Sequence, residues 1–150
     1  MIKNSWQLFY FKPFKAALDE LERAVTTLAQ RDPTRYKTHP KTRLLAALYR
    51  AIVHIVPTNP NHADFRLGKR LGADYGNWRH VKKGMPDRYR LFFRFASSPI
   101  KVVAYVWFND EHSLRRAKSK TDVYEAFRRM LLRGEVPTSI EDLLMESRSA

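Results

Sequence analysis

The run Arg88-Tyr89-Arg90-Leu91-Phe92-Phe93-Arg94-Phe95 constrains this chain more than any other, because strand periodicity divides it into two unlike faces. Tyr89, Leu91, Phe93 and Phe95 fall on one side and can build a core; Arg88, Arg90, Phe92 and Arg94 fall on the other as an arginine stripe. A second strand follows Ser97-Ser98-Pro99, with Val102, Ala104, Val106 and Phe108 alternating against Lys101, Val103, Tyr105 and Trp107. That alternation sets Tyr105 and Trp107 beside the arginines. Guanidinium groups bind phosphate in planar, bidentate geometry and aromatic rings stack on unpaired bases, so such a face suits single-stranded nucleic acid. An arginine rim that merely solvates a sheet, with Tyr105 and Trp107 roofed by a helix, fits the same pattern.

The surrounding segments predict an α+β domain. Trp6, Leu8 and Tyr10 alternate with Gln7, Phe9 and Phe11 as a strand, and Pro13 suits the first turn of a helix. Phe14, Leu18, Leu21, Val25 and Leu28 share a helical face that Asp32-Pro33 closes; Leu44, Leu48, Ile52 and Ile55 mark a second helix between Pro40 and Pro57. Residues 57–77 read as a long loop, functional or mobile, carrying Arg66, Lys69 and Arg70. Strands over 78–83, 88–96 and 100–108 then form an antiparallel meander. Val123, Phe127, Met130 and Leu131 define a helix, for which Ser119 and Asp122 resemble a capping box, and Pro137 and Ser139 introduce a last short helix. The expectation is one domain over residues 1–150: a small antiparallel sheet, two N-terminal helices packed on it, and one or two C-terminal helices.

Charge names the class of partner. A net charge of +13 on 150 residues exceeds what solubility needs and draws polyanions, with nucleic acid first among them. The excess lies before residue 135, since Glu135, Glu141, Asp142 and Glu146 face only Arg148 after it. The chain has no cysteine, hence no disulfide frame and no thiolate metal site. No apolar stretch is long enough for a membrane span, and the Trp6–Phe11 run is too short for a signal peptide, so a soluble cytoplasmic protein without membrane contact is expected.

No cofactor or metal is implied: there is no HExxH, and the adjacent Asp110, Glu111 and His112 would diverge. Nothing resembles a nucleophile elbow. What remains is Arg, Lys, His and Tyr, which suit attack on a phosphodiester by an RNA's own 2′-hydroxyl, a reaction that needs a base, an acid and cations but no metal. If Val81 points inward, Trp78, His80 and Lys82 point toward the arginine stripe. His80 titrates near neutrality and is the acid-base candidate, with Lys82 second if neighbouring cations depress it. Tyr124, in the first turn of its helix, is a further candidate. Lys69, Arg70, Arg88, Arg94, Trp107 and Lys120 make up the expected RNA-binding surface.

Nearly the whole chain resembles the YhaV family of bacterial toxins, within the RelE/ParE-like superfamily. The matching stretches are Phe65-Arg66-Leu67-Gly68-Lys69, Trp78 through Gly84, Arg88 through Arg94, Asn109-Asp110-Glu111, and Lys120-Thr121-Asp122 with Tyr124. The resemblance implies a RelE-like fold and an mRNA interferase, a metal-independent endoribonuclease that works with the ribosome to stop translation. It also implies a PrlF-like antitoxin with an AbrB-type domain, through which the pair binds operator DNA. By motif, Arg90 inherits the phosphate-stabilising role, His80 and Lys82 the two basic strand positions, Arg115 the post-strand arginine, with Arg116 and Lys118 nearby, and Tyr124 the tyrosine. His80 departs from the lysine or arginine frequent there. ParE-like members keep the fold but inhibit gyrase without cutting RNA; that, or a plain RNA-binding module, is the alternative.

Overall fold

Alternation at the N-terminus sets the first layer. In the computed structural model, which describes residues 1–150, Ile2–Lys3 (β1) and Trp6–Phe11 (β2) pair antiparallel, and Trp6, Leu8 and Tyr10 are buried. Lys12–Arg31 (α1) and Pro40–Arg50 (α2) follow, each with proline in its first turn; α2 runs on through a π-turn at Ala51–Ile55. Arg79–Val81 (β3), Leu91–Ala96 (β4) and Val102–Phe108 (β5) make the expected antiparallel meander. Val123–Leu132 (α3), Ile140–Met145 (α4) and Ser147–Ser149 (β6) complete the chain. Ser139 caps α4 by accepting from the Asp142 amide.

The sheet is six-stranded and mixed, ordered β1-β2-β5-β4-β3 with β6 also on β2, which corrects the expectation of a small antiparallel sheet. β2 pairs parallel to β5, from Gln7↔Val102 to Tyr10↔Tyr105. Parallel neighbours require a long crossover, and the two helices between β2 and the meander supply one. β1 and β6 share the other edge of β2, with Met1 and Ala150 both bonding to the Leu8 backbone. Strands of two or three residues are too short for alternation to reveal them.

A bulge changes which side chains share a face. The ladder runs Leu91↔Phe108, Phe92↔Trp107 and then Phe93↔Tyr105, so Val106 has no opposite number. The extra residue sends Tyr105 and Trp107 to opposite sides, against the expectation that both accompany the arginines. Tyr105 packs with Tyr10, Phe14 and Phe93 on the α1 side and donates to the Ile52 carbonyl at 2.8 Å. Trp107 lies under α3 instead, stacked on Phe127 at 5.6 Å. Phe127 also stacks on Phe92 at 4.4 Å and meets Trp78 edge-on at 5.0 Å. The arginine-bearing face is therefore a second core interface rather than an open surface.

The segment between α2 and β3 is pinned down. Phe65, Leu67 and Leu71 are buried, with Phe65 edge-on to Phe93 at 5.4 Å, and Arg66 bridges to Arg79. Gly68 and Gly72 have φ of 62° and 97°, a region costly for other residues, so their spacing serves two tight turns rather than a phosphate cradle. No helix is long and apolar enough to cross a membrane.

Phe127→Ala should destabilise the protein by ~3–5 kcal/mol in denaturant titration, because three aromatic partners lose their contact surface at once. Leu132→Ala, on the same helix but 58% exposed, should stay within about 0.5 kcal/mol. Equal losses would contradict the assignment of Phe127 as the anchor of α3.

Candidate functional site

Tyr124 is the second residue of α3, and the helix start aims it. Asp122 is the N-cap, a role expected of Ser119. Its buried carboxylate accepts from the Tyr124 amide at 3.0 Å, the Arg116 amide at 2.6 Å and an Arg115 guanidinium nitrogen at 3.0 Å. One side chain thus ties the 115–116 connector to the helix and holds Arg115 over the Tyr124 ring, 4.9 Å from its centroid. Arg70, presented by the loop before β3, lies 5.7 Å from the same centroid.

Beneath the ring the hydroxyl meets two strands. Tyr124 OH lies 2.8 Å from His80 Nδ1 on β3 and 3.1 Å from Arg90 Nε just before β4. Arg90 Nε–H can only donate, so Tyr124 oxygen accepts it, while the direction of the Tyr124–His80 bond follows the histidine tautomer. When neutral with Nδ1 bare, His80 accepts from the phenol. Its pKa is lowered to about 3, by burial first and then by the charges of Arg70, Arg90 and Lys82, with the Arg66 backbone pulling the other way.

Arg90 is buried, and its side chain bonds only to Tyr124 OH and, at 2.9 Å, to the Tyr89 carbonyl. No carboxylate offsets its charge. A buried guanidinium without an anion is expensive, and here Arg70 and Arg90 both lie close to one histidine. Above Tyr124 opens a cleft of about 390 Å³ lined by Arg70, Arg115, Lys118, Ser119, Lys120, Asp122, Tyr124 and Glu125. Of the hydrogen-bonded trio, only Tyr124 lines it.

Of the residues expected from sequence, His80, Arg90, Arg115, Tyr124, Arg70 and Lys120 converge here. Lys82 does not join them: the chain turns after Val81, and Lys82 lies in a groove beside Ile55, His62 and Phe65. Arg94, four residues along β4 and ~13 Å from Arg90 at strand spacing, lies over Trp78 and donates to the Thr138 carbonyl. Trp107 is occupied by Phe127 and is no free stacking platform. Arg88 has φ of 68° and lies outside β4, so the stripe ends before it; Lys69 is exposed beside Arg70 but outside the cleft lining. Sequence reading overlooked Ser119 and Glu125 as lining groups and took Asp122 for the capping-box partner of Ser119 rather than the cap itself. Asp122, immediately before an apolar helical run, carried the N-cap signal.

Comparison with known proteins identifies the family. A family described as "Toxin with endonuclease activity, of toxin-antitoxin system" matches residues 8–148. The chain is 39% identical over 145 residues to the ribonuclease toxin YhaV of Escherichia coli K12, covering 96% of this chain and 93% of that one. The toxin YhaV of Escherichia coli O157:H7 has the same identity and coverage. No solved structure matches.

Because the folded pKa of His80 is about 3 against ~6.5 unfolded, only the unfolded state binds this proton between those values. The contribution to stability is full above pH ~6.5 and is lost as pH falls toward 3, by up to about 1.4 kcal/mol per unit. Urea midpoints across this range should fall less steeply for His80→Gln than for wild type. Parallel curves would place the buried histidine's proton elsewhere.

Proposed function

The chain belongs to the YhaV family of toxins with endonuclease activity, from toxin-antitoxin systems, and on that footing we propose that the Tyr124 cleft cuts mRNA without a metal ion. The observation that carries the reading is the buried Arg90 guanidinium, unpaired by any carboxylate and hydrogen-bonded to a tyrosine whose hydroxyl also meets the Nδ1 of buried His80. Such an arrangement favours an arriving anion and offers a route for a proton.

In this reading the phosphates bind Arg70, Arg115, Lys118 and Lys120, and a cleft this cationic repels divalent metal as it attracts RNA. Tyr124 touches the reacting nucleotide. As the 2′-hydroxyl attacks phosphorus, its proton passes to Tyr124 oxygen while the phenolic proton moves to His80 Nδ1; the P–O5′ bond breaks, the departing 5′-oxygen takes a proton from solvent in the open cleft and His80 afterwards returns its proton to solvent, leaving a 2′,3′-cyclic phosphate and a 5′-hydroxyl. Arg90 steadies the charge passing through the phenol. His80 is a weak base in the free protein, but bound phosphate offsets the cations that depress it, raising its affinity for the proton when RNA is present. His80 acts through Tyr124, so the neutral-pH limb expected of a solvent-facing histidine is replaced by one set in the complex.

The finer reading rests on resemblance: a RelE-like fold, action with the ribosome, and a PrlF-like, AbrB-type antitoxin that carries the complex to operator DNA. An acidic antitoxin segment laid over Arg70, Lys118 and Lys120 would close the cleft most directly.

Incubation with translating ribosomes and mRNA in excess EDTA should yield fragments ending in 2′,3′-cyclic phosphate; intact RNA with continued translation sinks the proposal, and arrest without cutting favours a non-catalytic inhibitor. Arg90→Ala should lower the rate by ~10²-fold at every pH, since arginine keeps its proton throughout. Tyr124→Phe keeps the ring and loses the relay, and should cost ~10²- to 10⁴-fold.

Lys118→Ala and Lys120→Ala should each reduce the log-log salt slope of RNA binding by about 0.7 while leaving the pH profile alone. Salt-independent affinity would remove the cleft as the RNA site.

A further inference from the structure

Asn109 is a fully buried polar side chain outside the cleft, just past the end of β5. Its Oδ1 accepts from the Arg90 amide at 2.8 Å, and its Nδ2 donates to the Arg88 carbonyl at 3.1 Å and the Ser113 carbonyl at 2.9 Å. One amide and two carbonyls around one group leave its orientation no freedom: the oxygen must face the N–H and the nitrogen the two oxygens. The same Arg88 carbonyl also accepts from the Arg115 amide at 2.9 Å.

These bonds occur where the ladder has stopped. β4 begins at Leu91, so the backbone of Arg88–Arg90 has no strand partner there, and Arg88 adopts a left-handed φ of 68°. An unladdered stretch that descends from exposed Arg88 to buried Arg90 would carry unsatisfied polar groups at its buried end and drift in register. Asn109 supplies the bonds that a strand would have supplied, and it does so at the residue whose Nε reaches Tyr124 OH. Through the shared Arg88 carbonyl the same clamp fixes the start of the connector carrying Arg115.

We infer that Asn109 is a positioning residue for the reaction: it sets Arg90 and Arg115 against Tyr124 from opposite sides and touches neither RNA nor the reacting atoms. Only asparagine meets the requirement at this size, because aspartate lacks the two donors, serine cannot span three partners, and glutamine is a methylene too long for the same enclosure. The kinetic part rests on the ribonuclease reading; the geometric part does not.

The test is Asn109→Asp, which keeps shape and the acceptor for the Arg90 amide but turns oxygen toward two carbonyls. In wild type, the Arg90 backbone amide should exchange slowly, and the Arg90 Nε–H should give a resolved, protected NMR signal from its bond to Tyr124. In the variant the Nε–H signal should be lost to solvent exchange and kcat on ribosome-bound mRNA should fall ~10²-fold, with KM and the salt slope of RNA binding unchanged. Should Asn109→Asp fail to fold, Asn109→Ser carries the same comparison, since it can retain one of the three bonds. A fast-exchanging Arg90 amide in wild type overturns the inference without any variant. So does a folded variant that keeps the wild-type Nε–H signal, or one whose kcat and KM change together. If wild type cuts no RNA, the two NMR measurements still decide the positioning while the ribonuclease reading fails by itself.

Discussion

Everything at this site depends on the stack of Phe127 upon Phe92 and Trp107. It lays α3 across the arginine-bearing face of the sheet, and with the helix in place Arg90 and His80 are removed from water and Tyr124 is lowered between them. Apolar packing here does electrostatic work. Charges near the surface are screened by solvent, whereas beneath a helix the same charges act on a neighbouring group through a lower effective dielectric.

The resulting cluster departs from the usual treatment of cations. Lys15 is paired with Asp19 and Arg115 with Asp122, while the half-buried Arg79 and Arg94, which have no carboxylate partner, reach backbone carbonyls. Around Tyr124 the positive charges of Arg70 and Arg90 face a histidine, and the one buried carboxylate nearby is already bound to Arg115 and two backbone amides. A site that is electrostatically incomplete by itself is completed by an anion, which is where local conflict with the folding rules becomes a statement about ligand.

Much of this was legible from residue order. Period-two alternation located β2, β4 and β5, and three- and four-residue spacing located α1, α2 and α3 with little error. His80 was a candidate from residue type and position, Arg90 and Tyr124 took their roles from the family resemblance, and the structure brings the three within hydrogen-bonding reach. What could not be read was anything set by a single irregular residue or by distant packing. Val106 breaks the alternation of β5 without any glycine or proline to announce it, so Tyr105 was assigned to the wrong face while Trp107 was assigned to the right one. The arginine stripe looked open because nothing in a strand's own sequence says whether a helix fifteen or more residues beyond the sheet returns to cover it. Asn109 stood in a matching stretch without a role for a related reason: an asparagine after a strand reads as a turn, and only tertiary structure shows an N–H and two carbonyls converging on it.

Burial also explains why position 80 can be histidine. A lysine or arginine there would bring another permanent charge under α3 beside Arg70 and Arg90, with Asp122 already satisfied. Histidine escapes that conflict by giving up its proton, which costs less than burying a fixed charge without an anion. Once neutral it presents a bare nitrogen to the Tyr124 hydroxyl, so the property that makes it tolerable in the fold is the one that lets it receive a proton. The same cations that hold it neutral are those an incoming phosphate would offset. Substrate binding and the basicity of His80 are therefore coupled through Arg70 and Arg90, with no change in backbone required.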